Sequence, residues 1–235
     1  MKREFFYQDD RSNKFWTIEL SGCEYVTTHG RVGAAGRETR KQFDSEDRAR
    51  QEYEKQVASK LKKGYIEGAP PAYQPPDWAS MSMTEDVFWR IIGLFNWKKL
   101  GDDEAVIEPA VRALSQMSED DIRQFEEILA KKLYALDTLA HASEIGEDSY
   151  RPGKYFSVDE FLYTRACVVA NGPEFYEKVL ADPKEMPEDA EFEVLLSVGQ
   201  EAWERKTGSD EFDHVTDVCY ETFSNTAGWP DIEAS

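Results

Sequence analysis

Four prolines within seven residues, Pro70, Pro71, Pro75 and Pro76 in the stretch GAPPAYQPPDW, most constrain what this chain can fold into. Each fixes its own φ and lacks an N–H, so neither a helix nor a central strand runs through them and an extended spacer is expected. The hydrophobic rhythm changes across that spacer. Apolar residues alternate before it and recur every three to four residues after it, which predicts two folding units, 1–67 and 82–235, joined by a linker over 68–81. With 235 residues, 40% of them hydrophobic and 13% aromatic, the chain can build two cores.

Charge divides in the same place. A net charge of −19 argues against nucleic acid, whose binding needs Lys and Arg to neutralise phosphates. Its distribution reverses that inference for one part. Residues 1–67 hold 14 basic and 12 acidic groups, a net of +2, whereas 68–235 carry −21. Any anion-binding surface is expected in the first unit.

In that unit Phe5, Phe6 and Tyr7 begin a strand, and Trp16, Ile18 and Leu20 alternate with Thr17 and Glu19 as a sheet with one buried face requires. Tyr25 to Val32 and Arg37 to Phe43 read as a hairpin around Gly33-Ala34-Ala35-Gly36. A three- or four-stranded antiparallel sheet follows. Asp44 or Ser45 caps a helix that lays Ala49, Tyr53, Val57 and Leu61 on the sheet and ends at Gly64.

Beyond the linker, Ser82 and Glu85 read as a capping box. Val106 to Met117 forms a helix started or kinked at Pro109, and a long helix capped by Ser118 continues through Leu136 and Ala140 to Gly146. Ser157 with Glu160 opens another helix, Pro173 the next, and Gly208 closes the last. About six helices result. The fold class expected is α+β: a small antiparallel sheet with one packed helix, then an acidic all-α bundle.

The cations Arg31, Arg37, Arg40 and Lys41 lie on or beside the hairpin, where an extended arm aims several charges at one phosphate track. Lys60, Lys62 and Lys63 are assigned to the helix C-terminal dipole, and Trp16 to the core. In the second unit Tyr134, Asp137 and His141 fall together on the long helix, with Arg165 and Asn171 in reach from the next. Such a cluster tunes a histidine for proton transfer, grips a small anion, or staples two helices through hydrogen bonds. The motifs of metal, acyl-transfer and nucleotide chemistry are missing, so no metal or cofactor is implied and catalysis is not expected. Cys23, Cys167 and Cys219 form no CxxC pair and are expected as buried thiols. No apolar run nears the roughly 20 residues of a membrane span, and the start MKREFFYQDD lacks a signal-peptide stretch, so a cytoplasmic protein is expected.

The segments NKFWTIEL and VTTHGRVGAAGRETRKQF, followed by a helix ending KLKKGY, resemble the WGR family over nearly all of residues 1–67. That domain occurs in poly(ADP-ribose) polymerases and in bacterial proteins described as molybdate-metabolism regulators. The resemblance implies DNA contact through the Trp-Gly-Arg triplet, matched here by His29, Gly30 and Arg31. His29 departs from the pattern, and its smaller ring implies weaker stacking on a sugar or base. The second unit, from FWRIIGLFNW to YETFSNTAGW, looks like a bacterial helical domain often placed after WGR domains.

The leading expectation is an interaction protein whose WGR-like module binds DNA, other nucleic acid or a protein partner while the helical unit recruits or regulates. An enzymatic or small-anion site at Asp137, His141 and Arg165 is one alternative. A scaffold, with the module's surface packed on its own acidic domain, is the other.

Overall fold

The computed structural model describes residues 1–9, 12–68 and 76–230. The chain divides into two compact units, Met1–Pro76 and Asp77–Ser235. The linker residues Pro70, Pro71 and Pro75 lie outside the described residues.

In the first unit the strands β1 (Lys2–Gln8), β2 (Asn13–Ser21), β3 (Glu24–Arg31), β4 (Arg37–Gln42) and β5 (Ile66–Glu67) form one antiparallel sheet in the order β4-β3-β2-β1-β5. The fifth strand was not anticipated. It is two residues long and joins by pairing Ile66 with Phe6 and Glu67 with Phe5, a placement tied down by Arg3, whose Nε and Nη2 each donate to Glu67 at 2.7 Å.

Helix α1 (Glu46–Lys62) starts where the Ser45 hydroxyl accepts the Arg48 amide. It buries Ala49, Tyr53 and Val57 on one sheet face, where Phe5, Trp16, Ile18 and Tyr25 complete the core. Leu61, expected to continue that stripe, is exposed. No second helix of this unit is found among its described residues to cover the other sheet face.

The second unit holds seven α-helices among its described residues: α2 (Glu85–Ile92), α3 (Asp103–Leu114), α4 (Glu119–Leu136), α5 (Leu139–Ala142), α6 (Val158–Ala170), α7 (Pro173–Ala181) and α8 (Val198–Thr207). Trp78, read as linker, is buried in this unit's core. Thr84, not Ser82, caps α2 by accepting the Val87 amide. Asp102 caps α3, so Pro109 sits inside that helix rather than opening it. Ser118 and Asp121 form a full capping box for α4.

The long helix ends ten residues sooner than its apolar pattern suggested. Asp137 terminates α4, and Thr138 starts the short α5 by accepting the His141 amide. Beyond α8, which ends at Gly208 with φ of 76°, the chain crosses the bundle as a strap with a single 3-10 turn at Thr226–Gly228. The expectation of three buried thiols is corrected: Cys23 and Cys167 are partly exposed and Cys219 is exposed.

Candidate nucleic-acid interface and a buried polar cluster

Antiparallel register decides which side chains of the sheet share a face, because successive residues point to opposite sides. His29 stands opposite Trp16 on β2 and Arg37 on β4, Tyr25 opposite Lys41, and Arg31 opposite Lys14. All belong to the face that carries α1. Arg31 is two residues from His29, so their side chains leave this face about 7 Å apart. Arg31 and Arg37 are exposed and form no ion pair among the described residues.

Between that face and α1 lies a cavity of about 360 Å³. Trp16 and Tyr25 supply its aromatic wall, Thr27 and Thr39 its polar floor, and His29, Lys41 and Lys60 its charge, with Arg40 at its edge. Among the described residues, no carboxylate lines it. Lys60 was assigned to the helix dipole, yet its Nζ turns inward to lie 5.2 Å from the Trp16 ring centre and 4.7 Å from that of Tyr65. Burial, with Lys63 nearby, holds its pKa below the ordinary lysine value. Lys60 and the neighbouring Gln56 are the residues the sequence reading missed. Only their spacing on α1 hinted that they return to the sheet.

Arg40 separates from its neighbours. It pairs in register with Val26, alternates away from Lys41, and reaches Glu38 at 3.0 Å and Glu24 at 3.4 Å. The opposite sheet face holds a second concavity of about 430 Å³, lined by Phe6, Phe15 and Val26 with Glu4, Glu19 and Glu38 against the single cation Lys2. Gly30 belongs to that side. A Cβ there would come within 2.9 Å of the Gly36 Cα, and a Cβ on Gly36, with φ of 73°, within 2.6 Å of the Phe15 ring. The loop after β3 thus folds flat behind the sheet, and glycine at both positions permits it.

In the second unit Asp137, His141 and Arg165 are all buried. Asp137 accepts hydrogen bonds from the Phe223 amide (3.2 Å), the Asn225 amide (2.9 Å) and the Trp229 indole (2.9 Å). Arg165 donates to the carbonyls of Leu133 and Tyr220 and to the Thr222 hydroxyl at 2.9–3.0 Å, while its Nε has no partner. Burial lowers its pKa to about 10, opposed by Asp137, so it stays charged at neutral pH.

The His141 Nε2 lies 3.2 Å from the Val179 carbonyl and its Nδ1 2.7 Å from the Thr138 hydroxyl. Burial pushes this imidazole below its ordinary pKa against the pull of that carbonyl. The Tyr134 carbonyl joins the network by accepting Asn225 Nδ2, whereas Asn171 is exposed and donates to the Cys167 carbonyl. Asn171 is therefore not brought to the cluster. A one-helix face for Asp137 and His141 is also corrected, since α4 ends between them.

A family described as "Protein of unknown function (DUF4240)" matches residues 83–205, just over half of the chain. The chain belongs to the DUF4240 family. Ahead of that region it carries a WGR domain, matched over residues 2–71, which suggests nucleic-acid binding. The DUF4240 match ends before the strap that Asp137 and Arg165 hold.

Similar proteins share the WGR part. "Uncharacterized protein YfeS" of Escherichia coli (strain K12) is 43% identical over 67 residues, 28% of this chain and 28% of its own length. "Protein YehF" of the same strain is 40% identical over 67 residues, 28% of this chain and 24% of its own. The chain thus spans about a quarter of each relative it matches. A crystal structure of a Bacteroides fragilis protein aligns over 56% of this chain and 39% of its own with a TM-score of 0.31 and 24% identity. Among the described residues, no helix is long and apolar enough to cross a membrane.

Proposed function

We propose that the WGR domain binds nucleic acid through the face bearing α1, with Arg31, Arg37 and Lys41 as phosphate contacts, His29 and Lys60 at the cavity, and Gly30 as a structural residue. The observation that carries this reading is the cavity lining, which holds cationic groups and no carboxylate although the chain as a whole has 47 acidic residues to 28 basic ones. Unpaired cations on one face supply the counterion release that drives association with a polyanion. Arg40 contributes least, because Glu24 and Glu38 already occupy its guanidinium.

The helical unit is not catalytic in this reading. Its Asp137, His141 and Arg165 are buried and bonded to the chain's own groups, the arrangement of a structural staple. Fluorescence anisotropy of the full chain with labelled duplex and single-stranded DNA tests the interface. Expected is binding at low salt whose log affinity falls linearly with log salt. No binding to either form at low ionic strength would sink the proposal.

A further inference from the structure

One side chain in the cationic rim is a histidine. His29 is exposed on β3, stands directly across the sheet from Arg37, and lines the cavity with Lys41 and Lys60. Arg31 follows it on the same face of β3, with Lys14 beside that arginine on β2. Among the described residues of this unit, the neighbouring Glu38 and Glu52 are turned elsewhere. Glu38 lies in register with Thr28, projects from the opposite face and bonds Arg40. From α1, Glu52 reaches toward Tyr25 and pairs with Lys55.

We infer that nucleic-acid binding by this domain is linked to protonation of His29, so that the module holds a phosphate backbone more tightly as pH falls from 8 to about 5.5. This rests on the reading that the rim binds nucleic acid. Among the described residues of this unit no carboxylate is paired with His29, and a ligand can bring the counter-charge. A phosphate oxygen supplies that charge and accepts the N–H. Binding and proton uptake then favour each other, and by linkage each strengthens the other by the same factor.

The consequence separates this residue from the permanent cations of the rim. Each additional phosphate neutralised steepens the dependence of log affinity on log salt by about 0.9 for a duplex. Protonation of His29 therefore changes two measurable quantities together, the affinity and the salt slope. Arg31, Arg37 and Lys41 keep their charge throughout the same interval and change neither.

The test uses the full chain, a short labelled DNA duplex, and salt titrations at pH 8 and about 5.5, with His29→Gln and His29→Lys beside the wild type. The wild type is expected to gain about tenfold in affinity on acidification, the worth of one charge-assisted hydrogen bond, and its salt slope to steepen by about 0.9. His29→Gln should lose both changes. His29→Lys should bind tightly with the steeper slope at either pH, because its charge is permanent. A wild type without pH dependence, or a His29→Gln variant that retains all of it, overturns the linkage and leaves the interface standing. Absence of binding by all three proteins at both pH values overturns the interface and the linkage together.

Discussion

The chain contains two clusters of charged side chains that look equally promising as residue lists, one around His29 and Arg31, the other around Asp137, His141 and Arg165. Their partners differ. In the first, among the described residues, Arg31 and Arg37 are exposed and form no ion pair, and no carboxylate lines the adjoining cavity. In the second, Asp137 has no exposed surface and accepts three hydrogen bonds from one strap of chain. Charge left open is available to a ligand, whereas charge closed by main-chain partners is committed to the fold.

The sharpest way to break this comparison is Asp137→Ala. It leaves two amides and an indole N–H without their acceptor, and each unsatisfied buried group costs about 1–3 kcal/mol. A loss of about 4 kcal/mol in urea unfolding is expected, with DNA affinity of the folded protein unchanged. A stable variant with altered ligand binding would reverse the assignment.

A buried carboxylate outside both clusters sharpens the point. Glu126 is 8% exposed, its Oε1 has no partner, and it lies so close to Gly199 that a side chain there has no room. Burial raises its pKa to about 7 against the Gly199 amide, with the Glu127 carboxylate adding to the rise. The folded chain therefore keeps a proton that the unfolded chain, titrating near 4.5, gives up. Its contribution to stability is full below that lower value, falls as pH rises through about 7, and is gone above it. The shift amounts to roughly 3 kcal/mol. Urea unfolding of Glu126→Gln across that interval should lack this part of the slope. An unchanged slope would mean that Glu126 ionises freely in the folded bundle.

At the open cluster the expected effects are smaller. Arg31→Ala should weaken DNA binding by about 1 kcal/mol, roughly fivefold, and lower the salt slope by about one unit. Anisotropy should find less effect for Lys62→Ala. Arg40→Ala should change affinity least, by under about 0.5 kcal/mol, because the lost cation was already shared between two glutamates. Equal losses for Arg31→Ala and Arg40→Ala would mean that sheet face does not matter and only net charge does.

Much of the fold was legible because periodicity acts locally. Trp16, Ile18 and Leu20 announced their strand, and Ala49, Tyr53 and Val57 announced the helix over it. Strand β5 was not legible, since two residues carry no period and Ile66 pairs with Phe6 across the domain. The end of α4 was hidden by apolar residues on both sides of Asp137, where the competing cap at Thr138 is a local hydrogen bond without a distinctive spacing.

The site was legible in part. His29, Arg31, Arg37 and Lys41 share a face as alternation requires, whereas Arg40, grouped with them on the sequence, is turned to the other face by the register of the hairpin. Lys60 was not legible, because its approach to Trp16 joins residues 44 positions apart in the chain. Asp137 and Arg165 were found as residues, and a hydrogen-bonded staple was among their readings, but what they hold was not foreseen. Their partners, from Tyr220 to Trp229, lie in an irregular strap whose course no period reveals.

The crossing of Gly30 by Gly36 gives the triplet a grammar. Its middle letter is spelled by the backbone of a loop behind the sheet, and its outer letters are read from the front. An engineer re-addressing this module could rewrite positions 29 and 31 for another ligand without disturbing the turn. Any side chain at 30 would first have to push that loop off Phe15, and would change the shape of the page before changing a word on it.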